Sequence, residues 1–248
     1  CSVSGVAQFI TNRGLGELKD WLNDGYDVIQ EWDDMYSDWF AVPNSVKTTS
    51  VKPSGTVSLL AGATPGLHYP ESRFYIRRMR LSKHSDLLAP LEKAGYKLEP
   101  AFGSEDTTMV VEVPVDVGEG IRTAAELSIW EQFSLAAFLQ RHWADNQVSC
   151  TVTFNPETEK EQIAPALNYY QYHLKGISLL PRHDYGAYQQ MPYEAIDEET
   201  YHKEVAKLGR LTFGVIKNEE ADVDKFCNND NCEITPMTGD NDDQDYAN

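Results

Sequence analysis

The feature that most constrains the fold is an alternation between two hydrophobic periods. Met109, Val111, Val113 and Val115 are apolar at every second position, as are Val148, Cys150, Val152 and Phe154. A period of two is the pattern of a strand with one buried face. Between such runs lie longer ones with apolar residues three and four apart, such as Trp130, Phe133, Ala137 and Phe138. That is the pattern of a helix with one apolar stripe. The spacing predicts strands over Ser45–Val51, Arg73–Leu81, Met109–Val115, Val148–Phe154 and Gly176–Leu180. It predicts helices over His84–Ala94 with Gly95 as C-cap, over Thr123–Trp143, and over Thr158–Leu174 with a break or start near Pro165. Strands alternating with helices from about Val46 to Leu180 define an α/β layer or barrel and exclude a helical bundle. Thr123, with Glu126 three residues on, reads as the capping box of the longest of these helices.

The flanks are of other kinds. Leu15–Phe40 is helix-rich, with a predicted break at Asn23-Asp24-Gly25, and Trp32, Tyr36 and Trp39 fall on one stripe expected to be buried. Tyr193–Leu208 reads as mostly helical. After Gly214 the chain turns polar and then acidic, so residues 1–214 are expected to form the folded portion and 215–248 a flexible tail.

Charge and cysteine content narrow the function classes. A net charge of −18 argues against a general nucleic-acid-binding surface, while leaving room for a local phosphate pocket. No apolar run reaches the roughly 18 residues that span a bilayer. Four cysteines in 248 residues make no disulfide framework, and the expected compartment is the cytoplasm. The chain opens on Cys1 without an initiator Met, and Ser2–Ile10 has the character of a domain interior, as in a piece of a longer polypeptide. An extein junction and a truncated reading frame are both compatible with that start.

Two stretches invite a chemical reading. Lys52-Pro53-Ser54-Gly55-Thr56-Val57-Ser58-Leu59-Leu60 places a glycine and three hydroxyls between a strand and a helix start. A glycine lets the backbone approach a ligand, and a helix N-terminus offers free N–H groups, so the turn suits a phosphate. It suits an ordinary turn with an N-cap equally well. It is not a P-loop, because no Gly-Lys-Ser/Thr follows at the right spacing. The next loop, to Glu71, carries two titratable candidates, His68 and Glu71, each also readable as plain loop residues. The basic run Arg73–Arg80 reads as structural ion pairing or as counter-charge for a phosphate. Cys150, on the apolar face of its strand, reads as a small buried hydrophobe.

The second stretch is the pair Cys227 and Cys232 in a polar segment. Half a zinc site, a redox dithiol and two incidental thiols are all open readings. The surrounding negative charge raises thiol pKa values, so a dithiol there needs a basic partner or its reductase for activation.

Four stretches, in this order, resemble the adenosylcobalamin-dependent (class II) ribonucleotide reductases, most closely the monomeric ribonucleoside-triphosphate reductase type. They are Val51–Ser58, Pro65-Gly66-Leu67-His68, His142–Ser149, and Phe226-Cys227 through Cys232-Glu233. The resemblance implies the C-terminal part of a ten-stranded α/β barrel. In that family a thiyl radical, formed with adenosylcobalamin, removes the ribose 3′ hydrogen, and a barrel cysteine pair reduces the 2′ carbon. It further implies that Ser54, Gly55, Thr56, Val57 and Ser58 bind the phosphates of a ribonucleoside triphosphate. Cys227 and Cys232 are then the pair that re-reduces the barrel disulfide and is recharged by thioredoxin.

The departures limit this. The family's radical cysteine lies in an Asn-Pro-Cys motif, whereas here Asn155-Pro156 is followed by Glu157. Cys1 and Cys150 match no cysteine motif of the family. The chain is therefore expected to be inactive alone and to act with the remainder of a reductase chain. A reductase of another class and a non-enzymatic metal-binding module are the alternatives.

Overall fold

The computed structural model describes residues 1–55, 57–182 and 189–212. Helix α1 (Val6–Phe40) is followed by the short α2 (Val57–Leu60), then β1 (Phe74–Ser82), α3 (Leu88–Lys93), β2 (Lys97–Pro100) and β3 (Thr108–Asp116). Next come α4 (Ile129–His142), β4 (Thr151–Phe154), α5 (Ile163–Tyr170), β5 (Ser178–Pro181), β6 (Tyr193–Ala195) and α6 (Glu198–Val205).

Two layers organise these elements. In the first, parallel segments lie side by side in chain order. Ser2 bridges Ser50, Val51 bridges Val148, and β4 pairs with β5 from Thr151↔Ser178 to Phe154↔Pro181, all parallel. Parallel neighbours need crossovers, and these contain α1, α4 and α5 in turn. The main core fills this layer: Val51, Val148, Val152 and Phe154 pack with Leu18 and Leu22 of α1 and with Ile129, Phe133 and Leu139 of α4. Phe133, fully buried, stacks on Tyr170 of α5 at 5.6 Å between ring centres.

The second layer departs from simple alternation. Strands β1 and β3 pair antiparallel along their whole length, within a sheet of order β2-β3-β1-β6. Its smaller core joins Leu81, Val111 and Leu91 of α3. Part of the basic run of β1 is paired here. Arg78 stands opposite Glu112 and pairs with it at 2.9 Å, and it also bonds Glu194. Lys97 reaches Glu112 at 3.0 Å. Burial pushes the Glu112 carboxyl up, but Lys97 and Arg78 outweigh it and hold the group below its ordinary range. Arg77 stacks over the Tyr193 ring at 4.4 Å. The structural reading of this cluster is the one the sheet supports.

Five expectations need correction. Helix α1 runs through Asn23-Asp24-Gly25, and its break is at Gly14, whose φ of 83° and ψ of 165° are not helical. The stripe expected to be buried faces outward, with Trp39 67% exposed and Trp32 48%. The Thr123–Glu126 capping box caps only a single 3₁₀ turn; a second box, Ser128–Glu131, starts α4. The stretch expected to be helical from Tyr193 opens as β6, and Asp197 then caps α6. Ser45–Val51 contributes only bridges at Ser50 and Val51.

Candidate functional site

The turn at Ser54–Ser58 is built by three segments that clamp one another. Ser54 adopts a left-handed φ of 53° and its carbonyl accepts from the Ser58 N–H at 2.9 Å, opening α2. The Ser54 hydroxyl accepts from the Gly66 N–H at 3.0 Å and meets the Ser4 hydroxyl at 2.5 Å. Gly66, at φ 50°, lies so close that a Cβ there would stand 2.4 Å from the Lys52 carbonyl oxygen. The start of α1 closes the third side. Gly5 N–H donates to the Thr64 carbonyl at 2.8 Å, and the Gln8 amide both accepts from Thr64 N–H and donates to the Gly62 carbonyl.

This arrangement divides the expected phosphate residues. The Ser54 hydroxyl is occupied in holding the loop, so it is a positioning group. Gly55 is buried and Val57 exposed at the helix start, where the first N–H groups have no partner within a helix. Thr56 lies outside the described residues. Ser58 is 4% exposed and its hydroxyl has no hydrogen-bond partner among the described residues. Thr64, 2% exposed, is in the same condition, and it follows Ala63, whose N–H donates to the Ser58 carbonyl at 3.0 Å. A buried hydroxyl without a partner is uncommon and calls for an explanation. Sequence reasoning missed Thr64; its one signal was its place before the Pro65-Gly66 turn.

The neighbouring candidates separate clearly. His68 is buried, and its Nε2 accepts from the Thr151 N–H of β4 at 3.2 Å, which places the proton of a neutral ring on Nδ1. Glu71 is exposed. Cys150 is buried in β4's layer, and burial pushes its thiol up to about 12, so it is not a ready nucleophile. Leu67, His68, Arg122, Gln132 and Cys150 line a cavity of about 260 Å³ beside the turn.

The His142–Ser149 stretch is a joint. The Asp145 carboxylate accepts from the Tyr26 hydroxyl at 2.7 Å and from the Thr48 N–H and hydroxyl at 3.1 and 2.9 Å. The Trp143 indole donates to the Ser50 carbonyl at 2.9 Å. Burial pushes the Asp145 carboxyl up, but the bonds from Thr48 and Tyr26 outweigh it and hold it below the usual range. The joint fixes the end of α4 to the segment that leads into the Ser54 turn.

Cys227 and Cys232 lie outside the described residues. Among the described residues, no group of His, Cys, Asp and Glu is placed to hold a metal ion. No described helix is long and apolar enough to cross a membrane.

No protein-family model matches the chain. The chain is 54% identical over 237 residues to the adenosylcobalamin-dependent ribonucleoside-triphosphate reductase of Euglena gracilis, covering 94% of this chain and 32% of that protein. It is 53% identical over 238 residues to a probable enzyme of the same description from Dictyostelium discoideum, covering 94% and 31%. A crystal structure of a B12-dependent (class II) ribonucleotide reductase superposes with a TM-score of 0.72 at 34% identity, over 84% of this chain and 32% of that one. The chain thus spans about a third of the length of the curated relatives it matches.

Proposed function

We infer that this chain is a portion of an adenosylcobalamin-dependent (class II) ribonucleotide reductase, and that it supplies the substrate phosphate loop and the disulfide-shuttling arm. The parallel layer is then one section of the ten-stranded barrel. The ribonucleoside triphosphate places its phosphates at Ser54–Ser58, on the N–H groups of Gly55, Thr56 and Val57 and the hydroxyl of Ser58, while the Ser54 hydroxyl holds the loop. Cys227 and Cys232 reduce the barrel disulfide by thiolate attack and are recharged by thioredoxin in a second exchange. Each exchange moves two electrons and leaves one disulfide for the one broken. Adenosylcobalamin, the radical cysteine and the barrel cysteine pair belong to the rest of the enzyme. Alone, this chain forms no deoxynucleotide.

The observation that carries the reading is the pair of buried hydroxyls of Ser58 and Thr64 at this turn, without hydrogen-bond partners among the described residues, in a chain more than half identical to a named reductase. In the complete enzyme, Ser58→Ala should raise KM for the ribonucleoside triphosphate by roughly 10–100-fold, the worth of one hydrogen bond to a charged group. Cys227→Ser should keep a first turnover by pre-reduced enzyme and lose turnover sustained by thioredoxin. An unchanged KM would remove the phosphate assignment, and sustained thioredoxin turnover would remove the shuttle.

A further inference from the structure

Helix α1 beyond Leu18 has three faces where a surface helix needs two. At about 100° per residue, Leu18, Leu22 and Ile29 point to the core, and the first two are buried at 3%. Asp20, Asp24, Asp27, Glu31, Asp34 and Asp38 fall in one wedge about 80° wide, and no Lys or Arg occurs between Asp20 and Phe40. Between these faces runs a third, in which Trp21, Val28, Trp32 and Trp39 lie within about 40° of one another. Its members are 62%, 50%, 48% and 67% exposed. Tyr36 and Phe40 lie in the angular direction of Leu18 and Leu22 but past the core, 44% and 71% exposed, and the Tyr36 ring touches the stripe, with Trp32–Tyr36 and Tyr36–Trp39 ring centres 5.4 Å apart. An outward aromatic ladder of five turns is more apolar surface than a folded chain ordinarily leaves in water, and such patches mark interfaces.

We propose that this aromatic face of α1 is an interface with the remaining polypeptide of the reductase, which meets it with an apolar groove rimmed by Lys or Arg on the acidic side. The occupant follows from two observations. About two thirds of the relatives' length lies outside this chain, so a covering segment is available within the same molecule. The six-carboxylate ridge bordering the stripe disfavours a second copy, because pairing two copies face to face brings like charges together in a chain of net charge −18. The stripe and ridge together select a partner that is apolar at its centre and basic at one rim, the usual anatomy of an interface. This inference rests on the reading of the chain as part of a longer reductase.

The test uses the complete enzyme. Hydroxyl-radical footprinting read by peptide mass spectrometry should show Trp32 and Trp39 oxidised roughly tenfold more slowly in the native enzyme than in the urea-unfolded one, since interface cores exclude water. A photo-crosslinking benzoylphenylalanine in place of Trp39 keeps an aromatic ring there and should join a peptide outside these 248 residues. Oxidation at the unfolded rate, or crosslinks confined to a second copy or to this chain, would overturn the interface. If ribonucleotide reduction is intact in that case, the functional reading stands without it. If the enzyme reduces no ribonucleotide but the crosslink forms as expected, the interface stands and the functional reading fails.

Discussion

Gly66→Ala is the sharpest test of how the Ser54 turn is held. Two costs add at this position. The φ of 50° lies in the left-handed region, where a Cβ costs about 1–2 kcal/mol. The new Cβ would also stand 2.4 Å from the Lys52 carbonyl oxygen. That contact is with backbone, so no side chain can rotate away, and overpacking of this kind costs about 1–3 kcal/mol. The expected loss is therefore about 2–5 kcal/mol. Relaxation by moving the loop would lengthen the Gly66 N–H bond to Ser54 and the Val6 N–H bond to Gly66, now 3.0 and 3.3 Å. Two further substitutions separate the terms. Gly62 has φ 62° with open space around it, so Gly62→Ala carries only the backbone cost, about 1 kcal/mol. Gly25 is inside α1 and its Cβ would make ordinary contact with Trp143 at 3.5 Å, so Gly25→Ala should stabilise by about 0.5–1 kcal/mol. Urea unfolding midpoints at a common m-value give the order Gly25→Ala, wild type, Gly62→Ala, Gly66→Ala. If Gly66→Ala is no less stable than Gly62→Ala, the clamp against Lys52 is not what holds the turn.

Other outcomes follow from the same geometry. Asp145→Ala leaves the Thr48 N–H and the Tyr26 hydroxyl without their acceptor, and should lower stability by about 1–3 kcal/mol in the same unfolding assay. Ser128→Ala removes the acceptor for the Glu131 N–H at the start of α4 and should cost about 1 kcal/mol. Arg122 and the Ser128 N–H hold the Glu131 carboxyl down at about 2 from an ordinary 4.5; because the folded value is the lower one, its stabilisation is present above pH 4.5 and is lost as pH falls toward 2, a small term at so open a position. An acid titration of Glu131→Gln against wild type should show the difference closing below pH 4. The Cys150 thiol behaves oppositely: its folded value of about 12 lies above the ordinary 9, so its stabilisation is complete below pH 9 and declines above it. Iodoacetamide at pH 8 should leave Cys150 unmodified until the protein unfolds.

Residues that act through local rules were legible in the sequence. Period-two runs marked β1, β3 and β4, because a strand with one buried face must alternate. The Cys150 assignment followed from the same register, and Arg78 of the basic run on β1 is ion-paired because its partner strands carry Glu112 and Glu194. The order of motifs pointed to the adenosylcobalamin-dependent ribonucleotide reductases, and a protein of that description is 54% identical over 237 residues. What the sequence could not decide was which side of a pattern meets the core. The Trp32–Trp39 stripe has the spacing of a buried face, yet α1 docks on its Leu18–Leu22 side, because the parallel layer offers Val51 and Val148 there. Which hydroxyls of the turn are occupied was equally hidden. Ser54 and Ser58 look alike in the chain, and only the approach of Gly66 and Ser4, 12 and 50 residues away, turns one into a brace, while the other is buried with no hydrogen-bond partner among the described residues. Periodicity and capping are properties of neighbours along the chain; occupancy and facing are properties of neighbours in space.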